Sequence, residues 1–78
     1  MLLEITTPDK ELFAGEVELV QLPGMDGLFE ILENHAPLIS ILKQGKIKVQ
    51  SESGKIQHFE VNGGVVEVLK NKILVLAE

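Results

Sequence analysis

Seventy-eight residues with no cysteine, 45% hydrophobic side chains and only three Phe as aromatics make one domain with an aliphatic core, without a disulfide framework or a thiolate metal site. Twelve acidic against seven basic residues give a formal charge of −5, which argues against nucleic acid, whose binders cluster Lys and Arg, and against an anionic membrane surface. No apolar run approaches the roughly 20 residues that span a bilayer, and Met1-Leu2-Leu3-Glu4 has neither the basic n-region nor the cleavage pattern of a signal peptide. The expectation is a soluble protein of a reducing compartment. A chain this short buries only about 60–65% of the surface its unfolded form exposes, so its stability should be modest.

The periodicity is that of strands. Turn signals at Pro8-Asp9 and Ala14-Gly15 precede a run in which Val17, Leu19 and Leu22 alternate with Glu16, Glu18 and Gln21. The inserted Val20 predicts a bulge there. Pro23-Gly24 through Asp26-Gly27 then turns the chain into Leu28-Phe29-Glu30-Ile31. Phe29 and Ile31 are the inward pair, because the opposite phase would bury Glu30 without a partner, so Leu28 and Glu30 are left outside beside the turn. Ala36 to Lys43 has the length of a short helix, but Pro37 and the β-branched Ile39 and Ile41 fit alternation better.

After Gln44-Gly45, Ile47 and Val49 alternate with Lys46, Lys48 and Gln50 on a strand with one wet face. Beyond Ser53-Gly54, Phe59 and Val61 define the inner face of a strand whose other face carries Ile56, His58 and Glu60. Gly63-Gly64 marks a corner where the backbone packs too closely for a side chain. The final run after Lys70-Asn71, Ile73 to Ala77, is continuously apolar and should be covered on both faces. Many short strands at this spacing, with no useful helix, no repeat and no linker, indicate an all-β antiparallel sandwich or barrel over residues 1–78.

Chemistry-bearing patterns are sparse. Gly24-Met25-Asp26-Gly27 lacks the Gly-Lys-Ser/Thr and the following helix of a phosphate cradle, and reads as a tight connection between strands. Asp26, Glu30, Glu33 and His35 are the one cluster of possible metal ligands, yet strand alternation keeps Glu30 and Glu33 from converging. Ser40, Ser51 and Ser53 carry no nucleophile-elbow or triad pattern. A sandwich this small also lacks the deep pocket that shields catalysis. No cofactor and no catalytic residue are expected.

Ile31-Leu32-Glu33-Asn34-His35-Ala36-Pro37-Leu38 closely resembles the Ile-Leu-Pro-Asn-His-Ala-Pro-Leu signature of the ε subunits of F-type ATP synthases. The order of the surrounding features is similar to that family too: Thr7-Pro8, Phe13-Ala14-Gly15-Glu16-Val17, Leu22-Pro23-Gly24, Asp26-Gly27, then Phe59-Glu60-Val61-Asn62-Gly63-Gly64 and Val75-Leu76-Ala77. Two departures lie in or beside the signature. Glu33 replaces the usual proline, freeing φ and restoring a donor, and Glu30 stands where many members have glycine. Family members commonly continue into a C-terminal helical hairpin that restrains ATP hydrolysis and in some binds ATP; this sequence stops at Glu78, so neither role is carried over.

The resemblance implies an antiparallel β-sandwich of about ten short strands, acting as a non-catalytic rotor subunit in the central stalk. It implies clamping to the γ subunit, seating on the c-ring, and membership of one complex with the αβ catalytic head, peripheral on the cytoplasmic face of a bacterial inner membrane or its organellar equivalent. It places the turn Met25, Asp26, Gly27, with Leu28 and Glu30, over the polar loops of the c-ring, and His35 and Ser40 toward γ. The competing reading is a free-standing sandwich that binds a small ligand. That reading wants exposed aromatic platforms, whereas there is no Trp or Tyr and the three Phe fit inward positions.

Overall fold

Turn chemistry sets the strand boundaries throughout residues 1–78, all of which the computed structural model describes. The strands are β1 (Leu2–Thr6), β2 (Glu11–Glu16), β3 (Leu19–Gly24), β4 (Gly27–Leu32), β5 (Leu38–Leu42), β6 (Gly45–Gln50), β7 (Ile56–Val61), β8 (Gly64–Leu69) and β9 (Lys72–Ala77). That is nine rather than about ten. One expected turn, Ala14-Gly15, is absorbed into β2, where both residues stay paired with β1, opposite Glu4 and Leu3.

The strands lie in two layers, β2-β1-β9-β8-β5 and β4-β3-β6-β7. Every pairing is antiparallel except that of β1 with β9, which runs parallel. Two seams join the layers. At one, Gly24 sits opposite Leu42 and the Lys43 N–H donates to the Pro23 carbonyl at 2.9 Å. At the other, the Val17 N–H donates to the Met1 carbonyl and the next N–H, of Glu18, to the Gln50 carbonyl, both at 2.9 Å. The chain thus changes sheet at Val17-Glu18, and this passage, not a bulge at Val20, breaks the alternation. The register shift lies elsewhere, between Ile5 and Thr6. Where the edge strands β2 and β7 face each other, the Phe13 and Phe59 rings meet edge to face at 5.7 Å.

Sixteen buried residues, from Met1 to Ala77, form one core cluster that contains no aromatic and no polar side chain. Phe13, Phe29 and Phe59 are half-buried against it. With no internal polar network, non-directional apolar burial and the strand ladders hold the two layers together.

Two turns depend on residue type. Lys70 and Asn71 form the two-residue β8–β9 hairpin with φ of 49° and 62°, the type I′ pattern that Asn tolerates well. Gly64 has φ of 149°, and a Cβ there would overlap the Leu76 carbonyl oxygen and lie 3.0 Å from the Ala77 Cα. Only glycine fits that corner.

One expectation is corrected. Of the last apolar run, Ile73, Val75 and Ala77 are buried, but Leu74 is only half-buried and Leu76 is 54% exposed. The second face is apolar without being covered by this chain.

Candidate interaction surfaces

The acidic and histidine side chains singled out in the sequence do not gather into a metal-ligating group, and no buried side-chain donor or acceptor lacks a partner. What the fold builds instead are surfaces, and they meet around β4 and β5. β5 pairs with β8 along its whole length but reaches β3 only at Leu42, so Leu38 to Ile41 keep one free edge. β4 pairs only with β3, and its other edge is free as well.

Between these two open edges lies a groove of about 640 Å³, lined by Gly24 to Phe29 on one side and Ile39, Ser40 and Ile41 on the other. The β3–β4 hairpin forms one wall through its two-residue turn, Met25-Asp26, between the paired Gly24 and Gly27. Strand alternation sets the wall's chemistry: Phe29 and Ile31 turn inward, while Leu28 stands 65% exposed beside an exposed Met25. Glu30 also faces out and accepts a hydrogen bond from Gln21 Nε2 at 3.2 Å. The groove therefore brings Met25, Asp26, Gly27, Leu28 and Ser40 together. Glu30 sits beyond it on the outer face of β4. Ser40, opposite the buried Val66, takes the inward phase of β5 and is half-buried; its neighbours Ile39 and Ile41 point out.

Those two isoleucines begin the surface that residue-by-residue reading missed. Ile39 is 73% and Ile41 61% exposed. Ile41 is paired with Val65, and Val65 with Leu76, making an apolar row across β5, β8 and β9. The next row is Ile39, Glu67 and Leu74, with exposed Leu69 beyond it. Scattered exposed apolar residues need no explanation, but a contiguous apolar row on one sheet face is the kind of surface a partner covers. The signal was present in the continuous apolar run at Ile73 to Ala77.

His35 lies at the far end of β5 from the groove, in the connection between β4 and β5. Its N–H donates to the Leu32 carbonyl at 3.2 Å, closing a four-residue turn. Its Nδ1–H donates to the Ala36 carbonyl at 2.7 Å, which leaves Nε2 of the half-buried ring available as an acceptor. A second, shallower groove adjoins this loop, lined by Pro37, Leu38, Ile39 and the β8 residues Glu67 to Leu69. His35 and Ser40 thus stand in different settings, a loop and an inward strand position, with the exposed isoleucine face beside both. No helix is long and apolar enough to cross a membrane.

The whole chain has counterparts among known proteins. The profile of the family described as ATP synthase, Delta/Epsilon chain, beta-sandwich domain matches residues 1–78. An ATP synthase epsilon chain of Chlorobium limicola is 45% identical over 76 residues, which cover 97% of this chain and 86% of that one. One from Desulfatibacillum aliphaticivorans is 41% identical over all 78 residues, and these span 55% of its length. Among solved structures, a chain of the Euglena gracilis mitochondrial ATP synthase (OSCP/F1/c-ring) is similar in fold, with a TM-score of 0.92 at 22% identity, covering 99% of this chain and 49% of that chain.

Proposed function

The chain belongs to the ATP synthase delta/epsilon chain family, as its β-sandwich domain, and we propose that it serves as a non-catalytic rotor element of the central stalk, joining the γ subunit to the c-ring. It thereby helps couple proton translocation to ATP synthesis in a complex that also carries the αβ catalytic head. It sits peripherally, on the cytoplasmic side of a bacterial inner membrane or the equivalent side of an organelle membrane, without inserting.

The observation that carries the reading is the distribution of uncovered surface. A passive coupling element needs shape, a stiff body and complementary faces rather than a cleft. Here the uncovered apolar groups are concentrated in two adjoining places. The row Ile41, Val65 and Leu76, with Ile39 beside it, faces γ together with the His35 loop. Met25, Asp26, Gly27 and Leu28 at the groove face the loops of the ring, and Glu30 adds an outward carboxylate there. Ser40 lies between the two, reached from the groove. Because that carboxylate is exposed, any ion pair it makes with a basic ring residue contributes no more than about 1 kcal/mol and weakens with salt.

The test uses a cysteine at Leu28 and cysteines in the ring loop of the assembled complex. The expected result is a Leu28 cross-link and, for Leu28→Asp, a loss of proton pumping consistent with forfeiting roughly 1.5–3 kcal/mol of apolar burial. Absence of any cross-link together with unchanged pumping by Leu28→Asp would overturn the ring assignment.

A further inference from the structure

The rotor reading makes no use of Glu33, yet two distant segments, the β8–β9 hairpin and the N-terminus, converge on its carboxylate. The Asn71 side chain, from the β8–β9 hairpin, donates its Nδ2–H to Oε1. The Met1 ammonium lies 3.2 Å from Oε2, and also donates to the Val17 carbonyl at 3.1 Å and pairs with Glu16 at 3.4 Å. Asn71 closes the circle by accepting the Asn34 N–H on its Oδ1 at 3.0 Å. One side chain, 38 residues from Glu33 in sequence, thus clasps two consecutive residues of one turn.

That turn is the one that presents His35. Leu32-Glu33-Asn34-His35 is closed by the His35 N–H on the Leu32 carbonyl, with Asn34 at φ of 64° and Glu33 outside the positive-φ region. A positive φ at the third residue alone is the type II pattern, whose second position favours proline because the ring pre-sets φ. Glutamate at that position leaves φ unfixed. We propose that Glu33 is the positioning residue of the His35 loop: its carboxylate, through Asn71 and the Met1 ammonium, supplies by hydrogen bonding and charge the restraint that a proline ring would supply covalently.

The difference has a consequence for conditions. Two donors hold the Glu33 carboxyl below the usual carboxylate range, the Asn71 hydrogen bond first and the Met1 ammonium next. A depressed folded pKa means that the clasp is at full strength above the ordinary carboxylate pKa and is lost as pH falls through the lower value. For the Met1 ammonium, burial acts downward but is outweighed by Glu33 and Glu16, so its pKa is raised. That contribution is full below the ordinary amine value and is lost as pH rises through the raised one. The Met1 ammonium and Glu16 are the charged groups grouped with Glu33 here.

Amide exchange and side-chain NMR of the chain alone test the proposal, independently of whether it turns in a rotor. Glu33→Ala and Asn71→Gly, the latter keeping a residue that tolerates the positive φ of the hairpin, are each expected to speed exchange of the Asn34 and His35 amides about tenfold, while the Ile73 and Val75 amides keep their rates. Glu33→Pro should keep the His35 amide at its wild-type rate and leave Asn71→Gly without effect on that amide. In the wild-type chain the Asn71 NH₂ resonances should titrate below the ordinary carboxylate range, and Glu33→Gln should abolish that titration. Unchanged loop exchange in Glu33→Ala, equal acceleration of the core amides, or an Asn71 side chain blind to pH would each overturn it.

Discussion

Replacing Ile39 and Ile41 together by threonine should weaken binding of the γ subunit roughly a hundredfold and leave the melting temperature of the free domain almost unchanged. Both side chains are mostly exposed in the isolated domain, at 73% and 61%, so little apolar burial is lost from the fold itself. Threonine keeps the branched Cβ that suits a strand, and the β5 ladder to β8 is untouched. In the complex the balance differs. Each isoleucine gives up on the order of 1.5 kcal/mol of burial, and each new hydroxyl must be desolvated without an assured partner. Two such losses near the middle of an interface amount to roughly 3 kcal/mol, or a hundredfold in affinity. Calorimetric titration with γ, beside a thermal melt of the same variant, separates the two effects. A melting temperature that falls as steeply as the affinity would mean that these residues serve the fold, not a partner.

Ile73→Ala should do the reverse. Ile73 is fully buried in β9, between β1 and β8. Truncating a buried isoleucine costs about 2–5 kcal/mol, from the lost transfer energy plus the cavity left behind. A domain of this length has about 4–12 kcal/mol in total, so the variant should melt at least about 10 °C lower and populate unfolded chain measurably. Three residues along the same strand, Leu76 projects from the other face at 54% exposure, and Leu76→Ala should stay within about 1 kcal/mol of wild type. Urea unfolding of the pair measures the contrast directly. On the proposed function γ would bind the folded form alone, and saturating γ should then raise the midpoint of Ile73→Ala as well.

The contrast within β9 also shows where sequence pattern suffices. Alternation assigned the inward face correctly at Phe29 and Ile31, at Ile47 and Val49, and at Phe59 and Val61, because each of those strands has one wet face and a period of two. It misled where both faces are apolar. A run such as Ile73 to Ala77 records that both faces shun water, but it does not say whether the cover comes from this chain or from another. The passage at Val17-Glu18 was read as a bulge because changing sheet and inserting a residue leave the same one-step slip in the pattern. The family signature around His35 was legible as a string. The clasp on Glu33 was not, since Asn71 is 38 residues away in sequence and only the fold brings it near.

The central claim is that this small sandwich transmits rotation between ring and stalk. ATP-driven proton pumping in vesicles carrying the complex stripped of its epsilon chain, with and without this chain added back, tests it most directly. Restored pumping by the wild-type chain, and failed restoration by the Ile39→Thr/Ile41→Thr variant at the same concentration, is the predicted result. Pumping that is equally strong whether or not the chain is present would contradict the account.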